Sequence, residues 1–127
     1  MDAHTSTTQP GDPVLAGRLR RETQAEVLFG PGDRGRYATD ASIYQVEPIG
    51  VVLPRTIDDV AATLAIAREH GVPLLPRGGG TSQCGQTVNR AIVIDFTRHL
   101  NRVLSIDPER REAVVEPGIV LSQLNAA

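Results

Sequence analysis

Residues 74–90, Leu-Leu-Pro-Arg-Gly-Gly-Gly-Thr-Ser-Gln-Cys-Gly-Gln-Thr-Val-Asn-Arg, hold the densest set of groups able to bind a ligand through the backbone. Three consecutive glycines leave their N–H groups uncovered and reach positive φ freely. Such a run can bend into a concave nest of donors against a diphosphate. Thr81 and Ser82 follow it directly and add hydroxyl donors. Glycine punctuation alone would favour a plain turn or hinge. A hinge seldom sits between a proline (Pro76) and two hydroxyl residues, so phosphate binding is the preferred reading.

Two familiar phosphate motifs fail here on single residues. A Gly-x-Gly-x-x-Gly fingerprint begun at Gly78 meets Gln83 where its third glycine belongs, and nothing after it opens a helix. A Walker-type loop begun at Gly80 finds Gly85 and Thr87 in place but Gln86 at the lysine position. Without that charge phosphoryl transfer lacks a central component, and nucleotide hydrolysis is not expected.

The loop must be positioned by its flanking elements. Gly50-Val51-Val52-Leu53 reads as a short buried strand closed by Pro54. Thr56 with Asp59 approximates a capping box, opening a helix with Val60, Leu64 and Ala67 on its apolar face and Ile57 and Ala61 beside it. Gly71 stands at its C′ position. Val72 to Leu75 is the next strand, so residues 51–75 form a strand-helix-strand unit expected to be parallel and right-handed. The glycine loop then leaves the carboxyl end of a strand, where ligands sit in open α/β sheets.

Ahead of this unit, Asp12 and Pro13 start an amphipathic helix over 14–28, with Gly30 just beyond. Pro31 to Arg36 reads as a loop, and Tyr37 to Val46 as a polar, partly extended passage. Behind the glycine loop, Ala91 to Asp95 is another buried strand. Residues 102–106 and 111–116 form a hairpin about an Asp107-Pro108-Glu109-Arg110 turn. Pro117-Gly118 breaks the second strand, and Ile119 to Ala127 carries helix-like spacing that stops without a C-cap. The chain therefore reads as cut within a domain, with a flexible tail over 1–12, a helix and loop over 13–36, and the domain portion over 37–127.

The 127 residues suit one modest domain, 40% hydrophobic and 22% charged, of ordinary globular usage. With no Trp, two Phe and two Tyr, the chain lacks the stacking platforms of single-stranded nucleic-acid binders. A net charge of −2 gives no cationic field for nucleic acid or membrane surfaces. No apolar run reaches the length of a membrane span. A lone Cys84 cannot form an internal disulfide and has no metal-ligand set around it, so a reducing cytoplasm is the default. His70 reads as a helix-end dipole partner, His99 as a turn residue and His4 as tail, while Asp58 and Asp59 read as helix-start charges. Asp40 and Ser42 suggest a loop-stabilising hydrogen bond.

One combination does match a known pattern: Pro76-Arg77-Gly78-Gly79-Gly80-Thr81-Ser82 leaving a strand, preceded by Gly50 to Pro54 and followed by Val115-Glu116-Pro117-Gly118. It resembles the FAD-binding domain of the p-cresol methylhydroxylase and vanillyl-alcohol oxidase superfamily. The stretch Tyr37-Ala38-Thr39-Asp40-Ala41-Ser42-Ile43-Tyr44 is most similar to FAD-linked 2-hydroxy-acid dehydrogenases of the glycolate oxidase and D-lactate dehydrogenase type. Some of those are fused to an iron–sulfur half. The likeness runs from about Tyr37 to Ala127.

The resemblance implies an α+β fold, the N-terminal part of such a domain: a small mixed sheet with a β-α-β unit and a hairpin, flanked by helices. It implies that Arg77, Gly78, Gly79, Gly80, Thr81 and Ser82 wrap the FAD diphosphate. Gln86 would add a polar contact, Pro117 and Gly118 a second backbone approach, and Pro54 a border at the adenine end. Arg77 would screen the phosphates from solvent; otherwise it is an exposed loop arginine. Relatives with covalent flavin often carry histidine where Thr81 stands, so dissociable FAD is implied. Cys84 is expected to be small, buried packing.

The implied activity is oxidation of a 2-hydroxy acid such as D-lactate, glycolate or 2-hydroxyglutarate by hydride transfer to FAD. Substrate and base residues, and any iron–sulfur cluster, would lie beyond Ala127, so no catalytic residue falls in this chain and the piece alone is expected to be inactive. Two alternatives are a non-catalytic binding module and another FAD enzyme on the same scaffold. The latter could be the enolpyruvyl reductase of cell-wall synthesis or a molybdenum-hydroxylase flavin subunit.

Overall fold

The computed structural model describes residues 7–127. Residues 1–6 of the expected tail, His4 among them, lie outside the described residues. Residues 9–12 are tied to the body: the Gly11 N–H donates to the Ile49 carbonyl at 2.8 Å, and Arg90 Nη2 donates to Gln9 Oε1 at 3.0 Å.

Helix α1 (Pro13–Glu22) starts where Asp12 Oδ1 accepts the Leu15 N–H at 2.8 Å, with Pro13 in its first turn, and buries Leu15, Ala16 and Leu19. It ends well short of the expected residue 28. Both the hydroxyl and the N–H of Thr23 donate to the Leu19 carbonyl, which closes the last turn locally. The segment beyond becomes β1 (Glu26–Leu28), whose register pairs Glu26 with Leu53 and Leu28 with Val51. Val27 and Leu28, expected on a helix face, therefore pack as strand residues. The expected loop over 31–36 is the short helix α2 (Pro31–Arg36), because Pro31 presets helical φ and Asp33 lies at the positive end of the turn.

The main sheet continues with β2 (Gly50–Leu53), β3 (Leu74–Arg77) and β4 (Ile92–Asp95), in the order β1-β2-β4-β3. β4 runs parallel to both β2 and β3, and β1 lies antiparallel to β2. The strand-helix-strand unit exists, but β4 is inserted between its two strands. All four residues of β2 and of β4 are buried, so these strands take the middle of the sheet. β3 lies on an edge and starts two residues later than expected, which lets the sheet accept Pro76 without losing a central ladder bond.

Helix α3 (Ile57–Glu69) joins β2 to β3 and has the expected capping box. Its buried face differs from the expectation. Asp59, Thr63, Ile66 and Ala67 face the core, whereas Ile57 is 74% and Leu64 50% exposed. The reason lies in Asp59. Its carboxylate accepts the N–H groups of Gln24 at 2.8 Å, Arg55 at 2.9 Å and Thr56 at 3.3 Å, which fixes the helix with its Asp59 row inward. Thr63 hides its hydroxyl by donating to the Asp59 carbonyl at 2.7 Å. Polar residues that satisfy one another took the inner row from larger apolar ones.

Leu15, Leu19, Phe29, Ile49, Val52, Ile66 and Ile92 form the core on one side of the sheet, and Val51, Leu53 and Val93 a smaller cluster. The expected hairpin is β5 (Val103–Asp107) with β6 (Glu112–Val115), a separate two-stranded sheet, followed by α4 (Leu121–Asn125). Buried Glu116 ties the hairpin's base, accepting the Arg102 N–H and Nη2 at 2.8 Å each, and this pairing holds its carboxyl below the usual range. Among the described residues no helix is long and apolar enough to cross a membrane.

Candidate functional site

β3 delivers the glycine loop at Arg77, the carboxyl end of the parallel strands. Among the described residues, the N–H groups of Gly78, Gly79, Gly80, Thr81 and Ser82 donate to no protein acceptor. Five successive free donors on an accessible loop are what a diphosphate requires of a site without lysine.

The glycines divide into two kinds. Gly80 and Gly85 have positive φ of 69° and 79°, and the protein itself fills the space where their side chains would be: Gly80 with the Arg77 guanidinium, Gly85 with the Tyr44 ring. Gly78 and Gly79 have neither constraint. The nearest atom to a Cβ at Gly78 would be the Pro117 carbonyl oxygen at 4.0 Å, and at Gly79 the Thr81 methyl at 3.7 Å. Nothing among the described residues requires glycine at these two positions. Their effect is to leave the outer face of the nest bare, a cradle that side chains would otherwise fill. The donor set and the bare floor both fit an FAD diphosphate.

Arg77 is not a free surface arginine: its guanidinium is engaged within the protein. Its guanidinium donates to the carbonyls of Thr39 at 2.8 Å and Thr87 at 3.1 Å, and lies 5.2 Å from the centre of the Tyr37 ring. The same neighbourhood holds Asp40. Its Oδ1 accepts the Ser42 N–H at 2.8 Å, as expected for a loop-stabilising turn, and its Oδ2 accepts the Thr87 hydroxyl at 2.8 Å. Hydrogen bonds from Ser42 and Thr87 pull its pKa down to about 2. The Ala41 N–H donates to the Gly80 carbonyl at 3.1 Å. Below, the Tyr37 hydroxyl donates to Asp95 Oδ2 at 2.6 Å, while Asp95 Oδ1 accepts from the Thr97 N–H and hydroxyl. Burial and that carboxylate push the Tyr37 phenol well above its ordinary value.

The remaining sequence candidates are dispersed. Pro54 is fully buried after β2 and offers no surface. Gly118 is buried too, and its N–H donates to the Leu100 carbonyl at 2.8 Å. Pro117, beside it, is exposed and borders Gly78. Gln86 is exposed on the loop. Cys84 is exposed rather than buried, as are Gln83 and Gln86 on the same loop. His70 caps α3, and His99 lies in the turn after β4, with Nε2 3.7 Å from Glu26 Oε2. A cleft of about 410 Å³ lies elsewhere, between the hairpin and α4, lined by Ile106, Arg111, Ala113 and Leu124 among others. Sequence reasoning missed the Tyr37–Asp95 and Asp40–Thr87 bonds, which span 58 and 47 residues and leave no local signal.

A family model described as an FAD binding domain matches residues 48–127. The chain is 44% identical to D-2-hydroxyglutarate dehydrogenase of Escherichia coli, over 91% of this chain and 12% of that protein. It is 40% identical to glycolate oxidase subunit GlcD of Bacillus subtilis, over 72% of this chain and 20% of that one. Both matches thus span only a small part of the relative's length. Among solved structures, p-cresol methylhydroxylase aligns with a TM-score of 0.72 at 22% identity, over 94% of this chain and 24% of that one, so the fold is shared.

Proposed function

Because the chain belongs to the FAD binding domain family, we propose that Gly78 to Ser82 hold the FAD diphosphate in a whole protein that oxidises a 2-hydroxy acid. The observation that carries the site is the run of five free N–H groups over a floor left bare by Gly78 and Gly79. Thr81 and Ser82 add hydroxyls and Gln86 a polar contact, with Pro117 as the neighbouring wall. Pro54, Arg77 and Gly118 shape the site without donating to the cofactor through their side chains or, for Gly118, its N–H. When bound, FAD supplies hydride acceptance from the substrate α-carbon.

In this reading the loop residues bind and orient the cofactor, and the groups that act on the substrate belong to the rest of the whole protein. Thr81 offers no ring nitrogen, so the flavin is held non-covalently. The similarity to D-2-hydroxyglutarate dehydrogenases and to a glycolate oxidase subunit supports a substrate of the D-2-hydroxyglutarate or glycolate class. A cytoplasmic location belongs to the same reading, supported by the exposed single thiol.

The test is to purify the whole protein and record its visible spectrum, then assay a panel of 2-hydroxy acids with a dye acceptor. The expected result is a flavin spectrum, full release of flavin into the supernatant on acid precipitation, and turnover confined to 2-hydroxy acids. A protein that stays colourless after incubation with excess FAD and gel filtration would overturn the cofactor assignment, and turnover of other substrates alone would overturn the substrate class.

A further inference from the structure

Residues 38–46 fold back on themselves, with the Val46 N–H donating to the Ala38 carbonyl at 2.9 Å and a bridge between Thr39 and Gln45. This strap touches the glycine loop at its entry, its middle and its exit. At the entry, the Arg77 guanidinium holds the Thr39 carbonyl, and the Gly80 carbonyl accepts the Ala41 N–H. In the middle, the Tyr44 ring occupies the side-chain space of Gly85. At the exit, Thr87 donates its hydroxyl to Asp40, while its carbonyl accepts from Arg77. Arg77 and Thr87 thereby close the base of the loop directly, through the side chain of one and the carbonyl of the other.

We propose that this strap is a preformed clamp and that Asp40 and Thr87 are positioning residues, which hold the glycine loop in its ligand-receiving shape before any ligand arrives. The role rests on the diphosphate reading above, since a clamp on this loop acts on whatever the loop binds. The gain is entropic. The five free N–H groups have no partners of their own to order them, and a loop this rich in glycine has many conformations to lose on binding. Ties from both ends to one strap remove that cost in advance, so they raise affinity without touching the ligand. Neither side chain needs to reach the cofactor.

The experiment measures ¹⁵N relaxation order parameters at 78–86 in the ligand-free full chain, together with FAD affinity by flavin fluorescence, for wild type, Asp40→Ala, Thr87→Val and Thr87→Ser. Amides without acceptors are unprotected from exchange in any case, so their order is read from relaxation. The expected result is a fall of the 78–86 order parameters from the rigid range toward about 0.6 or below, with about tenfold weaker FAD binding, in Asp40→Ala and Thr87→Val, as the loss of a hydrogen bond to a charged group implies. Order parameters in β4 should not change, and Thr87→Ser, which keeps the hydroxyl, should restore both quantities. Unchanged order parameters at 78–86 in the two variants overturn the clamp, as does failure of Thr87→Ser to rescue. The diphosphate reading and the clamp fail separately: absence of FAD binding in wild type removes the former, while the order parameters still decide the latter.

Discussion

Gly118 and Phe96 approach so closely that a Cβ on Gly118 would overlap the carbonyl oxygen of Phe96 and stand 2.7 Å from that of Leu100. Both obstacles are backbone and cannot swing aside. Gly118→Ala should therefore destabilise the fold by about 1–3 kcal/mol, the cost typical of overpacking. Urea denaturation checks this, and an unchanged midpoint would show that the 96–100 turn yields freely.

Gly79 is the opposite case. Its side-chain space is open, with the Thr81 methyl no nearer than 3.7 Å. Gly79→Val should leave stability within about 0.5 kcal/mol, as for other surface substitutions. FAD affinity should fall by about a hundredfold or more, because the branched side chain would fill the bare floor proposed to receive the cofactor; this corresponds to about 2.7 kcal/mol. Paired denaturation and fluorescence titrations would show whether the two effects separate.

How much of this was legible in the sequence depended on whether the deciding partner was local. The capping box of Thr56 and Asp59, the strands around Val51 and Val93 and the hairpin turn at Asp107 all rest on neighbours within a few residues, and all formed. The α1 end at Glu22 and the α3 face did not follow the apolar pattern. Thr23 capped its own helix, and Asp59 reached back to Gln24, 35 positions away. The loop's donors were legible from Gly78 to Ser82. The role of Arg77 was not, since its partners Thr39 and Thr87 emerge only once the strap folds over the loop.

Asp59 joins three N–H groups from the β1 approach and the α3 start. Asp59→Ala leaves these donors without their acceptor next to the core, and should cost about 2–4 kcal/mol, the range for losing a charged hub of several hydrogen bonds. A thermal unfolding series including Asp59→Asn, which keeps one carbonyl acceptor, should place that variant between wild type and alanine. Equal stability of all three would contradict the assignment.

Tyr37 links alkaline pH to stability. Its folded pKa is raised by burial and by Asp95, so its contribution is fully present below the ordinary tyrosine value near 10 and is lost as pH rises above it. Stability should fall above about pH 10 through this residue. Tyr37→Phe should remove that share of the slope and cost about 1 kcal/mol at neutral pH for the hydrogen bond to Asp95. Denaturation midpoints from pH 7 to 11 in the two proteins test the sign; a slope identical in both would contradict it.

In the proposed function the backbone of Gly78 to Ser82 receives the FAD diphosphate. Titrating FAD into the ¹⁵N-labelled full chain and following the amide resonances tests it atom by atom. The amides of Gly78, Gly79, Gly80, Thr81 and Ser82 should move first and furthest, while those lining the hairpin cleft at Ile106 and Leu124 stay in place. Saturating FAD that leaves the five loop amides unmoved, or that shifts only the cleft, would contradict it.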